Sequence, residues 1–343
     1  MIINLLIYSL ISFLILNIIS NVSYYFNLTD KPTKRKSHLK PTAHTGGIAL
    51  CLLYFLSIFL FNFSNQKFDL VFSTAILVGL IGFIDDRYNL NAFKKIFLLI
   101  FPILYLVIIE NFRLNELGNY NDFKLQLGIF SIPFTVIAVL LLVNSFNYFD
   151  GLDGTLCFSI VSVIFILFFL IADKYNFTFL LAILIPILFF LIFNFSLLKL
   201  PKLFLGDSGS LSLGFIISFT LIYLGSHGLV HPILLAFSIS IFVFEFLSIN
   251  LIRLRKSSIK KIFSPGRDHL HHLIFFDTKS VFLTNLIIFL INILIFMIGY
   301  ISFVMIGAFV SMIVFIICFI LFIILRNSYS KKFEILSNDK LPN

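Results

Sequence analysis

A cluster of polar side chains lies between two apolar runs near the middle of the chain. Two carboxylates, two carboxamides and two glycines fall within the eleven residues Asn144–Gly154. Charged groups this close to a bilayer are costly, so their presence indicates function. Asn147, Asp150 and Asp153 are spaced by three, which on a helical turn puts them near one face. Their oxygens suit a cation or sugar hydroxyls; the alternative is a polar loop between two helices.

A second acidic pair, Asp85-Asp86, ends another apolar segment and is followed by Arg87. Adjacent carboxylates repel, which raises the pKa of one of them and makes it a candidate base. Both can also act as oxygen ligands for a hard cation. The alternative is a helix stop at the membrane interface, but acidic groups at a helix C-terminus oppose the helix dipole.

A glycine- and serine-rich turn, residues 204–210, precedes a helix predicted to begin at Leu211. Backbone N–H groups at a helix N-terminus favour anions such as a diphosphate. Asp207 would lie near such phosphates only with a cation between them, so Mg²⁺ is the economical inference. The alternative is an N-cap Ser or Asp.

Two basic segments complete the set of candidate sites. One contains Arg267, His269, His271 and His272, which suit phosphate contact and proton handling. A solvated loop is the alternative, and a zinc site is disfavoured because no Cys lies nearby. The other, residues 30–38, suits a topological anchor that also binds anionic lipid.

The composition shows what must position these groups. Apolar residues make up 60% of the 343 residues and charged residues 12%, with mean hydropathy +1.07. Apolar runs of about twenty residues recur, which indicates a polytopic membrane protein. We predict an all-α integral membrane bundle in one domain, residues 1–326, with a short cytoplasmic tail, 327–343. About eleven transmembrane helices are predicted, at 2–23, 46–63, 70–84, 96–110, 127–147, 155–172, 178–198, 211–226, 232–252, 281–303 and 305–325.

The charges sort by side of this predicted bundle. All but four of the 25 Lys and Arg fall on one face, and the four on the other are Lys67, Arg113, Lys124 and Lys174. The positive-inside rule therefore makes the first face cytoplasmic and places the N-terminus outside. Every candidate motif falls on this face. That arrangement predicts a site open to the cytosol and reachable by a lipid head group, whereas a transporter would place such groups near the bilayer midplane.

Carboxylate pairs, a cation, a phosphate cradle and basic side chains are what phosphoryl transfer requires. The membrane setting favours a lipid-borne acceptor. Direct attack and passage through an aspartyl-phosphate are both compatible with these residues.

Five motifs occur in order over about residues 27–275. They are DKPTKRKSH…GG, DDR, NxxNxxDGLDG, FLGDSGSxxLGF and FSPxRxHxHHL. The set resembles the polyprenyl-phosphate N-acetylhexosamine-1-phosphate transferases. The resemblance implies ten or eleven helices in the inner (cytoplasmic) membrane. It also implies Mg²⁺-dependent attack of undecaprenyl phosphate on a UDP-N-acetylhexosamine, with Mn²⁺ as a substitute, releasing UMP. We expect membrane lipids and no nucleic acid as further partners, and leave a homodimer open.

The resemblance also implies roles for particular residues. It makes Asp85 the group that activates the lipid phosphate, with Asp86 beside it, and places Asp150 and Asp153 on the nucleotide-sugar side. Asn147 and Asp207 match the Mg²⁺-diphosphate positions. The remaining substrate contacts that it implies are Lys36, His38, Phe204 (stacked on uracil), Arg267, His269, His271 and His272.

The details of the motifs resemble those of one branch of the family. Its members start the synthesis of O-antigen, enterobacterial common antigen or teichoic-acid linkage units, with UDP-GlcNAc or a related amino sugar as donor. Two departures, Glu245 and Gly266, lie near the sugar loop and leave the sugar open, N-acetylfucosamine and N-acetylquinovosamine derivatives included. The alternatives are the phospho-MurNAc-pentapeptide transferase of peptidoglycan synthesis, a lipid-linked glycan transporter and a non-catalytic scaffold. A transporter would need ionisable groups along the membrane's depth, and Glu245 is the main candidate.

Overall fold

The structure is a computed structural model of the chain. It describes residues 2–30, 41–61, 63, 66–121, 123–171, 177–256 and 268–338.

Helices make up most of the described chain, with two small antiparallel hairpins beside them. The strands are β1 (Thr29–Asp30), β2 (Thr42–Ala43), β3 (Glu116–Tyr120) and β4 (Phe123–Gln126), paired β1 with β2 and β3 with β4. The helices are α1 (Ile2–Tyr25), α2 (Gly46–Leu60), α3 (Gln66–Tyr88), α4 (Ala92–Leu104), α5 (Ser131–Phe149), α6 (Thr155–Leu170), α7 (Phe177–Asn194), α8 (Gly206–Ser226), α9 (Pro232–Ser238), α10 (Ser240–Lys256), α11 (Leu270–Thr278), α12 (Val281–Met305) and α13 (Ala308–Asn338).

The helices confirm a membrane protein that crosses the bilayer several times. Within the described residues, seven helical segments are long and apolar enough to span, and α9 with α10 forms an eighth bent by 72°. Three apolar helices, α2, α6 and α7, are shorter. Side chains on α1, α12 and α13 are largely exposed, as expected for helices that face lipid.

Helix α8 lies at the centre of the bundle and is buried over nearly its whole length. Two glycines allow its close contact with neighbours. A methyl group on Gly82 of α3 would lie 2.5 Å from the backbone carbonyl of Asp207, and one on Gly47 of α2 would lie 1.9 Å from the nitrogen of Gly209. The absence of a side chain at these glycines therefore brings the C-terminal end of α3 and the start of α2 against the first turn of α8.

The bend between α9 and α10 is fixed by a side chain of α12. The carboxamide of Asn292 accepts from the hydroxyl of Ser240 and the N–H of Ile241, and donates to the carbonyl of Ser238. Because a break in a helix leaves backbone groups without partners inside the bundle, this buried Asn supplies the missing hydrogen bonds.

Several predicted helix ends were wrong. The chain stays helical to Tyr88, because the carboxylates of Asp85 and Asp86 are paired within the protein rather than ending the helix at an interface. Helix α8 begins at Gly206, five residues before the predicted start at Leu211. The hairpin of β3 and β4 replaces a predicted loop. Helix α13 continues to Asn338, so the predicted division at 326/327 falls inside one helix.

Candidate active site

Asp207, in the first turn of α8, receives contacts from three other helices. Lys95 of α4 places its Nζ 2.6 Å from Oδ2 of Asp207, and Asn147 of α5 donates from Nδ2 to Oδ1 over 2.9 Å. The N–H of Asp207 donates to Oδ1 of Asp86 on α3, at 3.0 Å. The structure therefore brings the predicted DDR, NxxN and GDSG motifs to one point.

Lys95 connects two of the predicted acidic residues. Its ammonium group forms ion pairs with both Asp85 and Asp207, and its side chain is largely buried. The other oxygen of Asp85 accepts the N–H of Leu90 at 2.7 Å. Sequence reasoning missed Lys95. The signal was its place in the short segment that follows the acidic pair, on the face where all the other motifs gather.

Asp86 has a different position from its neighbour. Its oxygens accept the N–H groups of Asp207 and Ser208, so its carboxylate caps α8 and interacts favourably with the dipole there. The carboxylate of Asp86 thus lies where the sequence predicted a diphosphate, and the binding of a diphosphate at this turn stays a prediction. Nδ1 of His44 lies 3.7 Å from Oδ1 of Asp86.

Asp150 and Asp153 follow the end of α5 rather than continuing its face. The helix ends at Phe149 and α6 begins at Thr155, so the prediction of one helical face was wrong. Burial, with a smaller contribution from the nearby carboxylates of Asp207 and Asp86, raises the pKa of Asp150 well above its ordinary value. Asp153 forms an ion pair with Lys202, at 2.5 Å.

The histidine motif begins α11 and is not a solvated loop. His269 is the N-cap residue, and both it and His271 are buried. Their rings are parallel, with centroids 5.6 Å apart. A methyl group on Gly151 would lie 2.1 Å from Nε2 of His271, so the motif packs directly on the Asp150 loop. His272 is half-buried beside them.

Burial keeps these two histidines neutral. It lowers the pKa of His269 to about 4 and that of His271 well below its ordinary value. Among the described residues, Nδ1 of His269, Nε2 of His271 and the hydroxyl of the adjacent Tyr148 are buried and have no hydrogen-bond partner. Buried polar atoms of this kind call for a ligand or an ordered water.

Phe204 lies beside the start of α2. Its N–H donates to the carbonyl of Ala43 and its carbonyl accepts the N–H of Gly46, which ties the 41–47 segment to the turn before α8. Nζ of Lys202 lies 5.2 Å from the centre of the half-buried Phe204 ring. Stacking of Phe204 on uracil stays a prediction. The predicted contacts Lys36, His38 and Arg267 lie outside the described residues.

The oxygen-rich cluster fits a divalent cation that shares ligands with substrate. Within the described part of the chain, no three His, Cys, Asp or Glu side chains form a group that could hold a metal ion unaided. Asp85 and Asp207 nevertheless converge on one cationic group, and the carboxamide of Asn147 adjoins them. Mg²⁺ is commonly bound by one or two carboxylates together with substrate phosphates, so this donor set fits.

A cavity of about 490 Å³ opens beside the cluster. Its walls come from the β1 segment, the start of α2, the end of α3 and Asp207. The charged or titratable residues among them are Asp30, His44, Asp85, Asp86, Arg87 and Asp207. A cavity lined by both acidic and basic groups suits a phosphate held with a cation.

Comparison with known proteins agrees with the motifs. Residues 68–225 match the family model of glycosyl transferase family 4. The chain is 28% identical over 273 residues to the undecaprenyl-phosphate alpha-N-acetylglucosaminyl 1-phosphate transferase of Yersinia pestis, covering 77% of this chain and 74% of that protein. It is 29% identical to the protein of that name from Escherichia coli O157:H7, covering 72% of this chain and 69% of that protein. A probable undecaprenyl-phosphate N-acetylglucosaminyl 1-phosphate transferase of Bacillus subtilis is 28% identical, covering 77% of this chain and 74% of that protein. The matched region holds α3, α5 and α8, which carry the carboxylate cluster.

Proposed function

We propose that this protein transfers an N-acetylhexosamine-1-phosphate, GlcNAc-1-phosphate or a close relative, from a UDP-sugar to undecaprenyl phosphate. The products are a lipid-diphospho-sugar and UMP. The observation that carries this proposal is the convergence of Asp85, Lys95, Asn147 and Asp207 beside the cavity. The names of the relatives point to the same acceptor and sugar.

In the reaction, an oxygen of the lipid phosphate forms a bond to the phosphorus that carries the sugar. The bond from that phosphorus to the bridging oxygen breaks, and UMP leaves with the electron pair. Asp85 is placed to hold or remove a proton from the attacking phosphate, and Lys95 offers a positive charge to the phosphate oxygens. Direct attack and a phosphorylated Asp85 would give the same products.

Asp207 and Asn147 would hold Mg²⁺, with Mn²⁺ as a substitute. When bound, the cation neutralises charge on the diphosphate. Asn147 also orients Asp207, because its amide donates to one carboxylate oxygen while Lys95 holds the other.

The topology we propose has eleven spans, with the N-terminus outside and the site at the cytoplasmic face of the inner membrane. The three shorter helices α2, α6 and α7 would then cross the bilayer together with the longer ones. The distribution of Lys and Arg supports this orientation. The site would lie at head-group level, where a lipid phosphate can reach it.

The transporter alternative is weakened by the environment of Glu245. This residue is buried and bound to Arg326, so it is not a carboxylate that lines an open path. A scaffold has no need for a buried Lys95 between two carboxylates.

Purified protein, undecaprenyl phosphate, Mg²⁺ and a panel of UDP-sugars test the proposal. We expect UMP release with a UDP-N-acetylamino sugar and none when the lipid phosphate is omitted. Comparison of UMP release among four donors separates the branches of the family. The donors are UDP-GlcNAc, UDP-GalNAc, UDP-MurNAc-pentapeptide and UDP-glucose. Absence of UMP release with every UDP-N-acetylamino sugar would overturn the assignment.

A further inference from the structure

A buried ion pair joins α10 to α13. Arg326 of α13 donates from Nε to Oε2 of Glu245 at 2.8 Å and from Nη2 to Oε1 at 3.3 Å. The two side chains are 2% and 1% exposed. Both residues lie outside the 68–225 region that carries the family match.

Each member of the pair also binds backbone on one side of His269. Oε1 of Glu245 accepts the N–H of Leu270 at 2.8 Å, and Nη2 of Arg326 donates to the carbonyl of Asp268 at 2.5 Å. The residues before and after His269 are therefore held by a single pair of charges.

The side chain of Asp268 adds a third connection to this arrangement. Arg253 donates to it from Nη2 at 2.9 Å and from Nε at 3.4 Å. Two helices that contribute no group to the carboxylate cluster thus fix the path of the chain into α11.

The fixed segment bears directly on the candidate site. The ring of His269 is parallel to that of His271, which packs on Gly151 beside Asp150. A change in the backbone around His269 would therefore shift both rings against the Asp150 loop. Within the part of the chain that the structure describes, Nδ1 of His269 and Nε2 of His271 have no hydrogen-bond partner.

Stability by itself does not account for the pair. Replacing a buried ion pair by well-packed apolar residues is often neutral or stabilising, because removing two charges from water is costly. What apolar residues cannot supply is the acceptor for Leu270 and the donor for Asp268.

We infer that Glu245 and Arg326 are positioning residues that hold the histidine motif against the Asp150 loop for sugar-phosphate transfer. The inference rests on the proposed function and extends it to α13. Neither side chain touches substrate in this scheme; both act through the backbone around His269.

The test compares three changes in the full-length protein. The double variant Glu245→Met/Arg326→Met removes the charges. The double variant Glu245→Arg/Arg326→Glu restores an ion pair but reverses it. An arginine at position 245 cannot accept from Leu270, and a glutamate at position 326 cannot donate to the carbonyl of Asp268. The variant Arg326→Lys keeps a positive charge but loses the forked geometry of the guanidinium group. It replaces a double variant in the test if that double variant does not fold. Lys331→Met, an exposed change in the same helix, is the control.

We expect the folded double variants and Arg326→Lys to lose about 100-fold in turnover, because a misplacement near 1 Å can have that effect. The control should match the wild type. The reversed pair is decisive, since a purely structural pair would be rescued by the reversal. The inference would be overturned if the protein with the reversed pair kept its turnover within about threefold of the wild type. A threefold difference is well below the loss of about 100-fold expected from misplacement.

A second measurement does not depend on activity. Carbethoxylation mapped by mass spectrometry should modify the half-buried His272 readily and the buried His269 and His271 slowly in the wild type. We expect faster modification of His269 and His271 in the variants, with His272 as internal reference. Unchanged rates in folded variants would contradict the inference. An inactive wild type with protected histidines would count against the proposed function instead.

Discussion

Nζ of Lys95 lies 2.6 Å from Oδ2 of Asp207 while the same ammonium group pairs with Asp85. Asp85 and Asp207 are 122 positions apart in the chain and on different helices. Without a cation between them, two largely buried carboxylates would repel each other. Lys95 thus holds the carboxylate cluster together, and in the proposed reaction its charge would be available to a phosphate in the cavity.

Replacement of Lys95 by Met tests this role. We expect UMP release to fall by about 100-fold or more, because loss of one positioned charge at a reacting phosphate typically has that effect. We also expect a loss of about 3 kcal/mol in the free energy of unfolding, since removal of one partner leaves buried charge uncompensated. Lys94→Met, an exposed change at the adjacent position, should leave both properties unchanged. Near-wild-type turnover in Lys95→Met would exclude Lys95 from the reaction.

Two isosteric variants separate the roles of the acidic residues. Asp207→Asn should need at least about tenfold more Mg²⁺ for half-maximal activity. Mutation of a residue that contacts the metal only indirectly already weakens metal affinity by about tenfold or more. Asp85→Asn should abolish turnover and still bind UDP-sugar. Mg²⁺ titrations of UMP release and equilibrium binding of the UDP-sugar distinguish these outcomes. Full activity in Asp207→Ala would remove Asp207 from the metal site.

The contact of α3 with α8 depends on Gly82. A methyl group there would lie 2.5 Å from the carbonyl of Asp207, and rigid backbone cannot yield as a side chain can. We expect Gly82→Ala to destabilise the protein by about 1–3 kcal/mol and to reduce activity by separating the two acidic motifs. Gly225→Ala near the other end of α8 is the matched control, because its nearest neighbours are the tips of leucine side chains at 3.2 and 3.3 Å. Thermal unfolding in detergent measures the difference, and equal stability of the two variants would be evidence against the close contact.

The contribution of His269 to stability should fall as the pH is lowered from about 6.5 towards 4. The folded protein holds His269 neutral with a pKa of about 4, whereas the ordinary value is 6.5, so the unfolded chain binds the extra proton first. The stability that His269 contributes above pH 6.5 is therefore lost progressively as the pH falls to 4, by up to about 3 kcal/mol. His269→Gln should flatten this part of the curve in thermal unfolding. An unchanged pH dependence would show that His269 is not a main source of the effect.

The sequence predicted the helical membrane class well, because recurring apolar runs of membrane length leave few other structures open. It placed helix ends poorly where carboxylates lay near them. The predicted helix 70–84 ended before Asp85 and Asp86, yet both lie inside α3 because partners from α4 and α8 satisfy their charges. The histidine motif read as a basic loop, and burial against the Asp150 loop makes it the start of a helix.

The sequence by itself determined the helical membrane class, the resemblance to a transferase family and the motifs that gather on one face. These follow from residue types and their order along the chain. Only the tertiary structure decided that Lys95 bridges Asp85 and Asp207, that Asp86 caps α8, and that the Glu245–Arg326 pair holds the histidine motif. Each of these contacts joins residues far apart in the chain, and their closeness depends on which helices pack together.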